Sequence, residues 1–353
     1  MATPSYGANA LAGGVPNTLI NQVNATFDKI FSNAMIAFKP QATFVAQRTS
    51  TGKTINLAAA LQVPRVRIWK DQKHLNQVGL VAINVPMFPL EASIRIDKYD
   101  MMGDAVGLYA DSIRALAMKA KSYTDETVAN ALQSGWPASY TGYWAGTEYD
   151  YGETGNISGD NLPFFASGST GHSWPGTNVA LQTNVTRGSL ADPSTTGAAV
   201  DQMRGFLGNE GQPLQVQPKT LVYGPADEYA IMNAIDAKIT AVGFGLGSFN
   251  GGTGHTPQVA LDNVLNRYGI GLCRLDWLQN DPGVAYLLGE VGGVGCAYQY
   301  MLDPLHLVPS VNPTDKSVFY DREFVWSVEG FGRVVLPWWF TAIRIVDPSA
   351  TYQ

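Results

Sequence analysis

Charge is scarce in this chain: only 15% of its 353 residues are Asp, Glu, Lys or Arg, against about 25% in an average soluble domain. Its 29 acidic residues outnumber 23 basic ones, giving a formal net charge of −6. A dedicated nucleic-acid binder would need a cationic stripe instead. Cysteine is nearly missing. Cys273 and Cys296 alone exclude a disulfide framework and a CxxC metal site, and leave room for a single bridge. The four histidines, His74, His172, His255 and His306, form no HExxH or HxxxH pair, so each is expected to be a surface or packing residue. No apolar run approaches the ~18 residues of a membrane span. The opening MATPSYGANALAGGVPN has no charged n-region followed by an apolar core. An intracellular, reducing place of synthesis is therefore expected, where the sequons at Asn24, Asn156 and Asn184 carry no meaning.

Glycine, proline and aromatic residues are plentiful, at 37 Gly, 20 Pro and 11% Phe, Trp and Tyr. With so little charge, they describe a chain rich in strands and loops whose surface is covered in part by something other than water. Large subunit interfaces would do this. The length gives room for about two domains and ample material for a core.

The segment Arg48-Thr49-Ser50-Thr51-Gly52-Lys53-Thr54 ends in the three letters that close a phosphate-binding loop. Such a loop needs a glycine five positions before the second and a helix after it. Gln47 holds that position, and INLAAALQVPRVRIW reads as strand. The expected role of STGKT is a turn at a hairpin tip, with Gly52 supplying positive φ and Ser and Thr making local bonds to the backbone.

Along the chain, residues 1–17 read as an extended arm that needs a partner to become ordered. Leu19, Val23, Phe27 and Ile30 then mark an amphipathic helix. Residues 43–97 read as outgoing and returning strands, and Pro64, Pro86 and Pro89 confine them to sheet edges. Val106, Tyr109, Ile113, Leu116 and Ala120 set one stripe of a helix. A second helix is expected from Thr124 as N-cap to Gly135 as stop, the two forming a nearly continuous element. Residues 136–215 show no helical period and read as a loop-rich insertion with short strands. A strand, a Gly224-Pro225 turn and a helix from about Ala226 follow. YGIGLCRLDWL and GVAYLLGEV read as alternating strands about an Asn-Asp-Pro-Gly turn. The C-terminus reads as two antiparallel strands around a Gly330–Gly332 turn, with Pro337 at a bulge or edge.

Signals for chemistry are weak. SGSTGHS near Ser169 lacks the spacing of a nucleophile elbow, and neither GFGLGS nor GEVGGVG completes a dinucleotide fingerprint. Glu148, Asp150 and Glu153 lie close together but lack the spacing of a calcium loop, and a solvated acidic loop is expected. Arg65, Arg67, Lys70 and Lys73 around Trp69 place cations along one strand face, which suits an intersubunit contact as well as a nucleic acid. The alternative to a structural protein is an enzyme or small-molecule binder with a site around Asp150, Asp160, His172 and Trp174.

The order of elements, with VPRVRIWKDQ, SIRIDKYDMMGDAVGLYADSIRALAMKAKSYTDETVANALQSG, DNLPFFASG, LVYGPADEYAIMNAI and DREFVWSVEGFGRVVLPWWFTAIRI, resembles the tailed-phage major capsid fold of the Hong Kong 97 type. More narrowly it is similar to the Mu-like prophage major head subunit family, gpT. The long 136–215 segment and the ASGSTGHSW that follows the paired phenylalanines depart from the family pattern.

The resemblance implies an α+β fold. It would comprise an arm and short helix (1–44), an extended β-hairpin loop (45–97), a peripheral domain with a spine helix (98–138), an axial domain (139–307) and C-terminal peripheral strands (308–353). It further implies a non-enzymatic shell subunit without cofactor or metal, located in the virion capsid and assembled in the host cytoplasm. Its partners would be other copies of itself in hexamers and pentamers, scaffold, portal and decoration proteins, and enclosed double-stranded DNA bound without sequence specificity, with no membrane. Lys53 near the hairpin tip, Arg65, Arg67, Trp69, Lys70, Arg322 and Glu323 would lie at subunit interfaces. Phe244, Gly245, Gly247 and Phe249 would lie in a loop facing the capsomer axis.

Overall fold

The structure, a computed structural model, describes residues 11–12, 15–60, 80–102, 106–134, 164–168, 171–174, 179–208, 211–236, 239–243, 258–262, 268–279, 281–312, 315 and 317–349. Two short strands, β1 (Leu11–Ala12) and β2 (Val15–Pro16), precede helix α1 (Asn17–Ala37). Ile20, Val23, Phe27, Phe31 and Ala34 are its buried positions, three or four apart as an amphipathic helix requires. Val23 and Phe27 of the expected stripe sit at its centre, while Leu19 and Ile30 flank it. At 21 residues, α1 is longer than the expected short helix.

Strands β3 (Ala46–Thr49), β4 (Thr54–Ala60), β5 (Leu80–Pro86) and β6 (Phe88–Asp97) lead through the helical turn α2 (Lys98–Met102) into α3 (Val106–Ser134). Helix α3 is continuous for 29 residues, and Ile113, Leu116 and Ala120 of the expected stripe are buried. The expected helix start at Thr124 is corrected, because Thr124 is interior. Its hydroxyl donates to Gln299 Oε1 at 2.8 Å. The Asp125 carboxylate accepts the backbone N–H groups of Gln41 and Ala42 at 3.0 and 2.8 Å. A polar run that imitates a helix start thus serves other segments, while its own N–H groups stay in the helix.

The second half contains β7 (Val185–Arg187), α4 (Pro193–Arg204), β8 (Gln217–Tyr223), α5 (Glu228–Ile231), β9 (Ile239–Gly243), β10 (Gln258–Asp262), β11 (Gly271–Arg274), β12 (Val284–Glu290), β13 (Tyr298–Ser310), β14 (Glu323–Val335) and β15 (Ala342–Val346). Helix α4 corrects the reading of 136–215 as free of helix. Asp192 caps it by accepting the Ser194 N–H at 2.8 Å, with Pro193 in the first turn, a start signal that the small and polar residues behind it obscured.

One sheet has the order β11-β8-β12-β15-β7 and another β3-β13-β14-β6. Strands β11 and β12 do not pair with one another: β8 lies between them, parallel to β11 and antiparallel to β12. Residues 284–289 of β12 are all buried, so it lacks the expected alternation.

The C-terminal reading needs two corrections. Strand β14 runs straight through Gly330 and Gly332 without a turn. A Cβ on Gly332 would lie 2.6 Å from the Tyr300 carbonyl oxygen, and one on Gly330 would lie 2.8 Å from Leu305 Cδ2. These glycines admit the irregular neighbour β13, whose register shifts there. Residues 308–353 are also not one unit. Strand β13 begins at Tyr298 in the four-stranded sheet with β14, whereas β15 belongs to the five-stranded sheet.

The larger core surrounds the five-stranded sheet and takes in α4, the paired aromatics Phe164 and Phe165, Trp338–Phe340 and the C-terminal half of α3. A second core lies between α1, the N-terminal half of α3 and the inner face of β6 and β14, where Trp326 meets Phe27 edge-on at 5.0 Å. Helix α3 belongs to both.

Candidate subunit interface

Strands β4 and β5 pair antiparallel from Thr54 opposite Pro86 to Ala60 opposite Leu80. Among the described residues no further strand joins them. A lone two-stranded ribbon is marginal in water, so its foot must be anchored. The Ser50 N–H donates to the Met301 carbonyl at 2.9 Å and the Met87 N–H to the Lys53 carbonyl at 3.0 Å. Ile55 and Met87 are buried against Tyr298, Tyr300 and Val335.

This geometry corrects the position of Lys53. Strands β3 and β4 belong to different sheets, so STGKT crosses from the body to the foot of the ribbon and is not its tip. Ser50 makes the expected local bonds, its hydroxyl donating to the Gly52 carbonyl at 3.0 Å, but Gly52 is not among the glycines with positive φ. The Lys53 side chain is exposed. Arg322 and Glu323 lie at the other end of β6, roughly 30 Å away at the strand rise per residue. Arg322 takes a left-handed φ of 58°, and its carbonyl accepts the Lys98 N–H at 3.2 Å. Glu323 meets Arg95 at 3.5 Å in a largely exposed pair that contributes little to stability. Of the expected interface residues, Lys53 and the Arg322–Glu323 pair are thus not brought together. Arg65, Arg67, Trp69, Lys70 and Lys73 lie outside the described residues, as do Phe244, Gly245, Gly247 and Phe249.

The alternative site is only partly described, since Glu148, Asp150, Glu153 and Asp160 lie outside the described residues. His172 and Trp174 are packing residues. His172 is fully buried, stacks on Trp339 with centroids 4.3 Å apart and has Nε2 3.1 Å from the Phe164 carbonyl. The Trp174 indole donates to the Leu207 carbonyl at 2.6 Å. Both cysteines are buried and free, which removes the possible bridge. Burial pushes the Cys273 thiol up to about 11 and the Cys296 thiol up to about 12, so neither is a ready nucleophile at neutral pH. Among the described residues no group of three His, Cys, Asp or Glu side chains suits a metal ion, and no helix is long and apolar enough to cross a membrane.

Several polar residues that fix this architecture had no local signal. Asn184 is buried; its Oδ1 accepts the Ala166 N–H at 2.8 Å, and its Nδ2 donates to the carbonyls of Phe164 and Trp339 at 2.7 and 3.1 Å. Arg344 and Asp281 form a buried ion pair at 3.5 Å, and the Tyr286 hydroxyl donates to Asp281 at 2.7 Å. Burial raises the Asp281 carboxyl despite both partners. Arg333 is buried over the Phe88 ring at 5.0 Å, with its pKa lowered by burial. Only the alternation along β14 hinted that Arg333 faces inward, since it falls on the same face as Val335.

Residues 19–149 match the family model described as Mu-like prophage major head subunit gpT. The matched segment spans α1, the ribbon, β6 and α3, and it supports the family resemblance carried by the sequence. No curated protein matches the chain. Among solved structures, the chain is similar to the procapsid of bacteriophage JBD30, at 14% identity over 95% of this chain and 77% of that one, with a TM-score of 0.45. It is also similar to the mature capsid of bacteriophage PhiM1, at 10% identity over 89% of each chain and a TM-score of 0.47. The virus-like particle from Pyrococcus furiosus matches at 9% identity over 91% of this chain and 98% of that one, with a TM-score of 0.44.

Proposed function

We propose that this chain is a major head subunit that self-assembles into the shell of a phage-type particle. The match of residues 19–149 to the gpT major head subunit family carries this reading. The physical form of that segment agrees with it. A two-stranded ribbon that no further strand joins among the described residues gains stability by lying on another protein surface, and a repeating shell offers such a surface on a neighbouring copy. Lys53, Arg322 and Glu323 lie outside the cores, and in this reading they make polar contacts at such boundaries. A net charge of −6 suits a container that encloses double-stranded DNA without adhering to it.

In this reading the copies group as pentamers and hexamers, the particle is assembled in the host cytoplasm, and scaffold, portal and decoration proteins are its further partners. The enzyme alternative is not favoured, because His172 and Trp174 are committed to the core. The test is electron microscopy with sedimentation velocity on untagged protein. Closed shells, or rings of five or six subunits, are the expected outcome. A monomer or dimer that persists at high concentration with its scaffold protein present would overturn the reading.

A further inference from the structure

The geometry points to strand β6 pairing antiparallel with β6 of a second copy of this chain, about a two-fold axis through Ser93. The inference goes beyond the shell reading and needs it only for the abundance of copies. Strand β6 is the end strand of the four-stranded sheet. Among the described residues nothing pairs with its outer edge, which leaves a row of backbone groups open to another strand.

The side chains decide which strand fits. Leu90, Ala92, Ile94 and Ile96 share one face, on which Ile96 is buried and Ile94 packs against the second core, while Leu90 is half-buried and Ala92 exposed. Glu91, Ser93, Arg95 and Asp97 are all exposed on the other face. An antiparallel partner that continues both faces of the sheet must place odd residues opposite odd ones. With Ser93 opposite its own copy, Glu91 stands opposite Arg95 and Arg95 opposite Glu91, giving two ion pairs from one two-fold contact. The same register sets Leu90 opposite Ile96 and Ala92 opposite Ile94 on the inner face. Moving the axis one residue toward the C-terminus, to Ile94, would place Glu91 opposite Asp97. Moving it to Ala92 would place Glu91 opposite Ser93 and remove both ion pairs.

The neighbouring strand adds a reason for Glu91 to seek a cation. Glu91 lies directly opposite Glu329 of β14, and like charges facing each other across a sheet are unfavourable. Arg95 is available for the exchange, since its side chain is 75% exposed and its contact with Glu323 is long at 3.5 Å. Charges on an edge strand often serve to repel other strands. Here, however, the charges are complementary to themselves under a two-fold, so they select a second copy. A two-fold through Ile96 would also pair Arg95 with Asp97, but it would overlap only the last three residues of β6, which leaves the Ser93 register as the one that pairs most of the strand.

Two measurements on the full chain test the pairing. Ser93→Cys should form a disulfide-linked dimer under mild oxidation, because directly opposed residues lie about 4.5–5.5 Å apart. Ser327→Cys, one strand inward, should not: its two copies would stand about 14 Å apart, three strand spacings. Glu91→Arg alone and Arg95→Glu alone should each weaken self-association about tenfold, by setting like charges opposite each other. Mixing the two variants should restore it, since each then faces its complement. Failure of Ser93→Cys to crosslink, or a mixture no better than its components, overturns the pairing. Normal shells without the crosslink would do so while leaving the shell reading intact, whereas a crosslinked dimer that never builds shells would overturn the shell reading alone.

Discussion

At the scale of single residues, the positions that hold this protein together are buried polar groups. Removing the Asn184 carboxamide would strand the Ala166 N–H in the larger core and take one donor each from the Phe164 and Trp339 carbonyls. Asn184→Ala is therefore expected to cost about 2–4 kcal/mol, read from the urea midpoint of the purified protein. Carboxylates make the second residue-scale case. Burial raises the pKa of Asp125, Asp227 and Asp281 above the ordinary carboxylate value. A carboxyl raised in the folded state holds its proton more tightly there than in the unfolded chain. Its contribution to stability is thus greatest at low pH and is lost as pH rises through the folded pKa. Asp227 is the cleanest to test, because its carboxylate accepts backbone N–H groups, that of Gly283 at 2.9 and 3.1 Å and that of Val284, and an asparagine keeps one acceptor there. Asp227→Asn should flatten the fall of stability with pH just above the ordinary carboxyl value of 3.8, measured by denaturation across a pH series.

At the scale of elements, α3 is the instructive case. Its apolar stripe was legible because Ile113, Leu116 and Ala120 repeat with helical spacing. Its continuity was not legible. Thr124 and the acidic residues after it carry the chemistry of a helix start, and only the positions of Gln299, Gln41 and Ala42 show what those side chains bind instead. Proline separates the two readings. At an N-cap it would be tolerated, but within a continuous helix it removes a hydrogen bond and clashes with the preceding turn. Thr124→Pro is expected to cost about 3 kcal/mol or more, seen as a lower thermal midpoint. Strand β14 carries the same lesson. Two glycines one residue apart imitate a turn, yet they lie within a 13-residue strand, because β13 crosses too closely there for side chains.

At the scale of the whole molecule, α3 and β14 each contribute to both larger cores, and among the described residues a polar corner lies beside α3. Gln41 donates its N–H to Asp125 on the helix at 3.0 Å. Its side chain both donates to Asp276 Oδ2 at 2.6 Å and accepts the Asp276 N–H at 2.9 Å. Nearby, Lys119 lies over the Trp277 ring at 5.2 Å. Gln41→Ala should leave both cores intact, cost about 1 kcal/mol and loosen this corner. Amide hydrogen exchange by mass spectrometry should show faster exchange in the segment around Asp276–Leu278, with α3 unchanged.

The sequence by itself determined which stretches are helical and which extended wherever one face alone is buried, as in α1, the N-terminal half of α3 and β6. There the apolar period is written in neighbouring residues. It also excluded a disulfide framework and a metal signature, through having so few cysteines and histidines, and its quoted motifs carried the family resemblance. The tertiary structure decided the rest: that Lys53 lies at the foot of the ribbon, that β11 and β12 are separated by β8, that β13 and β15 belong to different sheets, and that Thr124 and Gly332 are interior. Each of these depends on which distant segment supplies a hydrogen-bond partner or occupies the space beside a backbone. Local residue order carries periodicity and turn preference, but it does not record the neighbours that long-range packing brings.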